Sequence, residues 1–253
     1  MPILYLRRLT GKERSAEANV QLGLSLAFVA GATNAGGFLA VNQYTSHMTG
    51  IASSMADDLA LGDIGLVLAG AGSMLSFITG AACSSIMINW GRQRQLQSEY
   101  AMPLMLESVL LLCFGILGGN LSARMGLFVS VTVMLLCFIM GLQNAIITKL
   151  SNSVIRTTHV TGLVTDIGIE LGKLFYWNRT SDHADRDFVR ANREKLLLLS
   201  MLLLMFFIGG FVGALGFKHI GFASTIPLAL TLMVLAAVPV LDDFLVRVRI
   251  WLK

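Results

Sequence analysis

Two short polar segments of this chain share a pattern of residue types that could bind a solute. Residues 46–50 read Ser-His-Met-Thr-Gly, and residues 158–162 read Thr-His-Val-Thr-Gly. Hydroxyl side chains at the start of a helix accept hydrogen bonds from its free N–H groups. The helix start also carries partial positive charge, which suits an anion or a polar solute. We therefore predict that a small polar or anionic solute binds where these segments begin.

An acidic residue follows each of these glycines by eight positions, as Asp58 and Glu170. Ser54 precedes Asp58 by four residues, as Asp166 precedes Glu170, so each pair lies on one face of a helix. Ionisable side chains inside a membrane usually face a cavity or a pathway. The predicted proton-coupling residues are Asp58, Asp166 and Glu170. If the two segments instead lie along the membrane surface, these acids are merely solvated.

Two asparagines in longer apolar segments complete the candidate binding set. Asn34 and Asn144 lie near the middle of apolar runs and occupy matching positions. A structural role stays open for them and for the histidines, because polar side chains join transmembrane helices through hydrogen bonds worth about 0.6–2 kcal/mol. The predicted solute-binding residues are Asn34, Ser46, His47, Thr49, Gly50, Asn144, Thr158, His159, Thr161 and Gly162.

Membrane-spanning helices must position these residues. The chain has 253 residues, 55% hydrophobic and 13% charged, whereas soluble domains average about 25% charged residues. This composition excludes an ordinary soluble enzyme, a disordered protein and a disulfide scaffold. About 20 apolar residues cross a hydrocarbon layer of about 30 Å. Six spans are predicted, over 20–42, 64–89, 103–121, 125–148, 196–217 and 224–241. The first is too long for a signal-peptide core, so we expect it to remain as a span.

The basic residues predict the topology of these spans. With six spans and a cytoplasmic N-terminus, all of the 19 Lys and Arg residues except Arg124 and Lys218 lie on the cytoplasmic side, as the positive-inside rule requires. Both termini are then cytoplasmic, as is the Arg-rich linker 176–195. Because the basic residues lie in these connections, the pI of about 9.1 does not predict nucleic-acid binding. Glu107, near the start of the third span, is expected at the membrane interface.

An internal repeat relates the two halves of the chain. Residues 28–35 (FVAGATNA) match 138–145 (FIMGLQNA), and FITG at 77–80 matches FIGG at 207–210. Pro103 also matches Pro227. Each copy has three spans, an odd number, so the second copy enters the membrane from the opposite side. Such inverted repeats are typical of secondary transporters.

The predicted fold is therefore an all-α integral membrane protein. It has six transmembrane helices arranged as two inverted three-span repeats, each with an extra short half-helix or re-entrant segment, over 47–61 and 159–175. The predicted organisation is a cytoplasmic segment over 1–19, repeat 1 over 20–123, repeat 2 over 124–241 with its cytoplasmic linker, and a cytoplasmic tail over 242–253.

The segment AFVAGATNAGGFLA, followed by TSHMTG, resembles the YoaK family of bacterial inner-membrane proteins. The strongest part of the resemblance is Gly31, Asn34 and the run 46–50, and the likeness extends over about 20–241. After Gly50 the family pattern would have Asn, where this chain has Ile51. The resemblance implies a multi-pass protein of the bacterial inner (cytoplasmic) membrane. The family is a domain of unknown function, so the resemblance implies no substrate and no catalytic residue.

The sequence favours a small secondary transporter or permease, coupled to protons through Asp58 and Glu170. The absence of HExxH and GxSxG patterns argues against a membrane-embedded enzyme, which remains an alternative together with a non-transporting partner or regulator. No cofactor and no metal site are predicted, although a metal shared between His47 and His159 stays open. The expected partners are the lipid bilayer and a small polar solute, with no nucleic acid. Homo-oligomer formation is left open.

Overall fold

The computed structural model describes residues 7, 9–11, 15–41, 43–119, 127–150, 159–178 and 189–251, and this part of the chain contains helices and no strands. The helices are α1 (Ala16–Val41), α2 (Met48–Leu61), α3 (Ile64–Gln93), α4 (Ala101–Gly119), α5 (Leu127–Leu150), α6 (Val160–Phe175), α7 (Arg193–His219) and α8 (Thr225–Trp251), with a 3₁₀ helix over Gly221–Ser224 before α8.

Six helices are long and apolar enough to cross a membrane, and they correspond to α1, α3, α4, α5, α7 and α8. The six predicted spans therefore correspond to helices of sufficient length and apolar composition, and the two short segments are helices, α2 and α6. Large apolar side chains are exposed on the outer helices, such as Ile86 of α3 at 67% and Phe207 of α7 at 70%. Exposed apolar surface of this extent suits contact with lipid tails, so we describe the chain as a membrane protein.

Local sequence sets several helix boundaries. Asp63 and Asn192 directly precede α3 and α7, and the side chain of each accepts a hydrogen bond from the backbone N–H three residues later, at Leu66 (3.1 Å) and Lys195 (2.9 Å). This capping satisfies helix donors that otherwise lack partners, and it stabilises a helix by about 1 kcal/mol. Gly62 adopts a left-handed φ of 80°, which lets the chain turn directly from α2 into α3.

Contacts along α1 and α7 show that these two helices run parallel. Gly209 of α7 lies against Phe28 of α1. About two turns further along both helices, Phe217 lies against Gly36. α3 runs parallel to α5, because Gly80 lies against Phe138 and, later in both helices, Asn89 is bonded to Lys149. α4 runs antiparallel to α8, because Ser108 is bonded to Ala229, whereas Gly115, later in α4, lies against Thr225, earlier in α8.

Contacts between α1 and α5 show the reverse order. The side-chain amide of Gln143 donates to the Leu26 carbonyl oxygen (3.3 Å). Leu136, earlier in α5, lies against Gly37, later in α1. These two helices are therefore antiparallel, and their C-terminal ends lie at opposite ends of the bundle.

The bundle has two ends that differ in charge. α1, α4 and α7 begin at one end, where α3, α5 and α8 finish. We call this the basic end, because it carries Arg92, Arg94, Lys149 and Lys195. The other end, called the opposite end below, holds the ends of α1, α4 and α7. α2 lies in the half of the bundle toward the opposite end and α6 in the half toward the basic end.

Two close helix crossings hold the middle of the bundle together. The pattern Phe-x-x-Gly occurs at 28–31, 77–80, 138–141 and 206–209. α1 pairs with α7, and α3 pairs with α5, so that each glycine faces the carbonyl oxygen of the partner helix's phenylalanine. A Cβ at any of the four glycines would collide with that carbonyl. Small residues at such crossings let helix backbones approach closely in a membrane.

These contacts correct one part of the sequence comparison. The match of 77–80 with 207–210 is displaced by one residue, because Gly209, and not Gly210, occupies the position in α7 that Gly80 occupies in α3. Residues 206–210 contain two consecutive phenylalanines and two consecutive glycines. The sequence alone therefore allows two alignments of this segment, displaced by one residue. Gly209 and Gly213, four residues apart on α7, both contact α1, as small residues at a packed helix surface do.

Candidate functional site

The chain turns back into the bundle after α1. Ser46 donates a hydrogen bond to the side-chain oxygen of Asn34 (2.9 Å), and Asn34 lies about two turns, or about 10 Å, before the end of α1 at Val41. Thr45 is fully buried and lies near Gly37. The first residues of α2 therefore lie inside the helix bundle and not at its end.

α2 runs from this point toward the opposite end, antiparallel to α3. Its one buried residue, Ile51, packs against Val133 and Cys137 of α5. The Met55 side chain lies over Gly70 of α3, where the absence of a Cβ makes room for it. The isoleucine that stands where the resembling family has Asn thus anchors the start of α2 in an apolar contact.

A cavity of about 270 Å³ separates α2 from α3 and α5. Its polar lining comes from Gln43, Ser54, Asp58, Ser73 and Ser130. Ser54 and Asp58 are two of the residues that the sequence placed on one helix face. Asp58 is half-buried, and its carboxylate receives neither a hydrogen bond nor an ion pair from the residues that the structure describes. The rest of the lining is apolar, and an apolar cavity with a few polar groups can hold a small solute.

The histidines of both polar segments cover the first turn of their helices. The imidazole of His47 lies over Gly50 and that of His159 over Gly162, and in each case a Cβ on the glycine would collide with the ring. This contact explains why a glycine follows each histidine by three residues. Neither histidine side chain caps its helix, and both are exposed. They therefore present ring nitrogens beside two helix starts.

The acids of α6 are held by partners, unlike Asp58. Glu170 is 2% exposed and accepts hydrogen bonds from the Asn192 backbone N–H (2.8 Å) and from Lys173 (2.9 Å). The bond from Asn192, followed by the bond from Lys173, lowers the pKa of Glu170 below its ordinary value. Asp166 lies 3.5 Å from the ammonium group of Lys195. These contacts also show that α6 runs antiparallel to α7, with its last turns at the basic end.

The remaining predicted residues are divided between the two halves of the bundle. The Asn144 amide donates to the Met140 carbonyl oxygen of its own helix (2.9 Å), and it does not contribute to the cavity beside α2. Thr49 and Thr161 are exposed near the helix starts. Thr158 lies outside the described residues. None of the predicted solute-binding residues that the structure describes lines the cavity beside α2. One group lies around the start of α2 and another around the start of α6.

No group of three or more His, Cys, Asp or Glu residues that could hold a metal ion occurs in the described ranges. A metal shared between His47 and His159 would therefore find no third protein ligand of these types in those ranges. The described cysteines are all free thiols.

The structure corrects the position expected for Glu107. This residue is completely buried in α4, whereas the sequence placed it at the membrane interface. Neither of its carboxylate oxygens has a hydrogen-bond partner among the residues that the structure describes. A single acid near the start of an apolar span gives no indication of which face of the helix it occupies. The packing of α4 in the structure shows that Glu107 lies on its buried face, because Leu104 and Leu111, on the same side of the helix, are also fully buried.

A family comparison identifies the group to which this chain belongs. Residues 22–238 match the family described as "Protein of unknown function (DUF1275)". The match covers most of the chain, so the protein is a member of that family. No curated protein and no solved structure matches the chain. The family description assigns no substrate and no functional residue.

Proposed function

We propose that this protein is a secondary transporter for a small polar or anionic solute, built from two inverted repeats. The observation that carries the proposal is a short helix, α2, that begins about two turns before the end of the bundle and borders a cavity with five polar side chains in its lining. Irregular backbone at membrane depth is tolerated where it is buried or lines a cavity. Transporters bind their substrates at such interrupted helices, near the middle of the membrane.

Matching contacts in the two halves support the inverted repeats. The crossing of α1 with α7 has the same Phe-x-x-Gly contacts as the crossing of α3 with α5. α2 packs antiparallel to α3 as α6 packs antiparallel to α7. The caps Asp63 and Asn192 take equivalent places. Because α1 and α5 are antiparallel, the two copies would enter the membrane from opposite sides.

Charge supports an orientation with the basic end in the cytoplasm. Positively charged residues are retained on the cytoplasmic side of membrane proteins, and the described termini of α1 and α8 lie at the basic end. On this proposal α2 opens to the outside and α6 to the cytoplasm. The resemblance to the YoaK family further suggests the bacterial inner membrane.

The chemistry of the cavity suggests how a proton would be coupled. Hydroxyl and amide groups of Ser54, Ser73, Ser130 and Gln43 can bind a polar solute, and the start of α2 supplies partial positive charge. A charged Asp58 would repel an anion at this place. Protonation of Asp58 removes that repulsion, so a proton and an anionic solute would bind together.

Flux into proteoliposomes tests this proposal. Uptake of labelled acetate, phosphate and glycerol would be measured with an inward proton gradient, for the native protein and for Asp58→Asn. The matched control is Asp57→Asn, because Asp57 is exposed on the same turn of α2. We expect native and control proteins to carry at least one solute, with loss of proton-driven uptake in Asp58→Asn.

Two results would contradict the proposal. The first is equal uptake by the native protein, Asp58→Asn and protein-free vesicles for every solute. The second is chemical turnover in detergent solution, without any sealed vesicle, which would favour the membrane-embedded enzyme.

A further inference from the structure

We propose that Glu107 is a second proton-binding site, which takes up and releases a proton as the bundle changes conformation. Its role in coupling rests on the proposed transport function, whereas its protonation does not. The geometry alone distinguishes it from the other acids. Glu107 is 0% exposed, and neither carboxylate oxygen has a hydrogen-bond partner within the described part of the chain. By contrast, Asp58 faces a cavity, and Glu170 has two donors.

The surroundings of Glu107 favour its neutral form in this conformation. Leu104 lies one turn before it and Leu111 one turn after it, and both are fully buried. The nearest hydroxyl in the chain, Ser108, donates to the Ala229 carbonyl oxygen of α8 (2.9 Å). An ionised carboxylate without a donor or a cation is strongly disfavoured in such a place. The carboxyl group therefore carries a proton.

The helices packed against α4 offer no opposite charge in the middle of the bundle. Lys149 of α5 is directed to α3, where it donates to Asn89 (2.8 Å). On α8, Asp242 and Asp243 lie at the basic end and are bound to Arg7 and to the chain before α4. Arg92 of α3 lies beside Glu99 at the same end. Among the side chains that the structure describes, the other ionisable groups on α3, α4, α5 and α8 are the thiols of Cys83, Cys113 and Cys137.

A route for the proton starts at the basic end. Glu107 lies about 9 Å along α4 from its first residue, Ala101. Asp243 of α8 holds the chain just before α4, accepting bonds from the Ser98 backbone N–H (2.8 Å) and the Ser98 hydroxyl (2.6 Å). We infer that opening of this contact admits water from the basic end. The carboxylate then takes a proton from water or returns one to it, and nothing is oxidised or reduced.

Infrared spectroscopy of the protein in liposomes tests whether Glu107 is neutral. We expect a C=O stretch of a protonated carboxyl group at pH 7 that is lost in Glu107→Gln. The matched control is Glu99→Gln, since Glu99 is also buried but lies 3.6 Å from Arg92. This control should keep the band. A native spectrum without the band, or a band that remains in Glu107→Gln, would overturn the proposal.

A second measurement separates a proton-binding site from an inert buried acid. Ser54→Cys, with Cys83, Cys113 and Cys137 replaced by alanine, reports the openness of the cavity beside α2 through its rate of maleimide labelling. We divide this rate by the rate of Leu61→Cys in the same background, an exposed reference that removes the pH dependence of the thiol itself. The ratio should change with pH together with the infrared band, and should lose that pH dependence in Glu107→Gln but not in Glu99→Gln. Glu107→Asp should keep the dependence with a displaced midpoint, which identifies variants that merely misfold.

If a folded Glu107→Gln protein keeps the native pH dependence of labelling at Ser54→Cys, Glu107 does not control the conformation of the bundle. Neither readout requires a transported solute. If flux is absent but both readouts succeed, the transport proposal fails and the proton site stands. If flux is present but neither the infrared band nor the labelling rate depends on Glu107, only the proposal of a proton site at Glu107 is contradicted.

Discussion

The short helices α2 and α6 differ most in how their acids are held. Asp58 in α2 faces a cavity without a partner among the described residues, whereas Glu170 and Asp166 in α6 are bound by Lys173, the Asn192 amide and Lys195. The helices otherwise share a histidine lying over a glycine and antiparallel packing on the next helix. The two halves therefore differ in their acids and not in having a cavity, since one of about 780 Å³ borders the end of α6. We call the half with Asp58 the open half, and the half whose acids are paired the closed half.

The connection after each short helix explains part of this difference. Only Gly62 and Asp63 separate α2 from α3, and the Asp63 N–H donates to the Asp58 backbone carbonyl (2.9 Å). The corresponding N–H of Asn192 instead reaches the Glu170 side chain, because a much longer linker separates α6 from α7.

The largest expected effect comes from making the open half resemble the closed one. Leu66 occupies the position on α3 that Lys195 occupies on α7, and it lines the cavity. Leu66→Lys should place an ammonium group near Asp58 and abolish most of the proton-driven uptake. Uptake by proteoliposomes checks this, with Leu68→Lys as the control, because Leu68 is 66% exposed and does not line the cavity. Full uptake in Leu66→Lys would show that the cavity is not the pathway.

Substitution of a crossing glycine by alanine should destabilise both halves of the bundle equally. Gly31→Ala and Gly141→Ala each drive a Cβ into a backbone carbonyl, and overpacking of this kind costs about 1–3 kcal/mol. Thermal stability in detergent should fall by similar amounts in both variants. Gly168→Ala is the control, since nothing lies within 4 Å of that position. A large fall in only one of the two variants would mean that the halves differ in their centre as well as at their ends.

Acid should loosen the closed half. Because hydrogen bonds to its charged form lower the pKa of Glu170, the stabilisation that it gives is complete above its ordinary pKa of 4.5 and is lost as the pH falls through the lowered value. The protection factor of the Asn192 amide against hydrogen exchange, which corrects for the pH dependence of the intrinsic exchange rate, should therefore fall at low pH. Glu170→Gln should show faster exchange already at pH 7. An exchange rate that is the same in native and variant proteins at pH 7 would contradict this interpretation.

The smallest effect is expected from the pair between Asp166 and Lys195. Both side chains are more than a third exposed, and such pairs contribute about 0–1 kcal/mol. Lys195→Leu should therefore raise hydrogen exchange in α6 by no more than about fivefold. A change far above this, measured against Glu194→Gln as control, would give the pair a larger part in closing the basic end.

The sequence predicted the helices better than the contacts of its polar residues. Runs of apolar residues are long enough to fix six spans, and the serine and acid four apart correctly placed Ser54 and Asp58 on one face. The partners of Glu170 could not be predicted, because Asn192 reaches it only after the chain returns along α7. The burial of Glu107 was missed because hydropathy gives the length of a span but not the face on which one acid lies.

Side-specific labelling tests most directly the central claim that α2 and α6 open to opposite sides of the membrane. Asp58→Cys and Asp166→Cys would be made separately in a chain without its native cysteines and exposed to an impermeant maleimide in oriented vesicles. We expect Asp58→Cys to be labelled only from the side opposite the basic end, and Asp166→Cys only from the side of the basic end. Labelling of both positions from one side would contradict it.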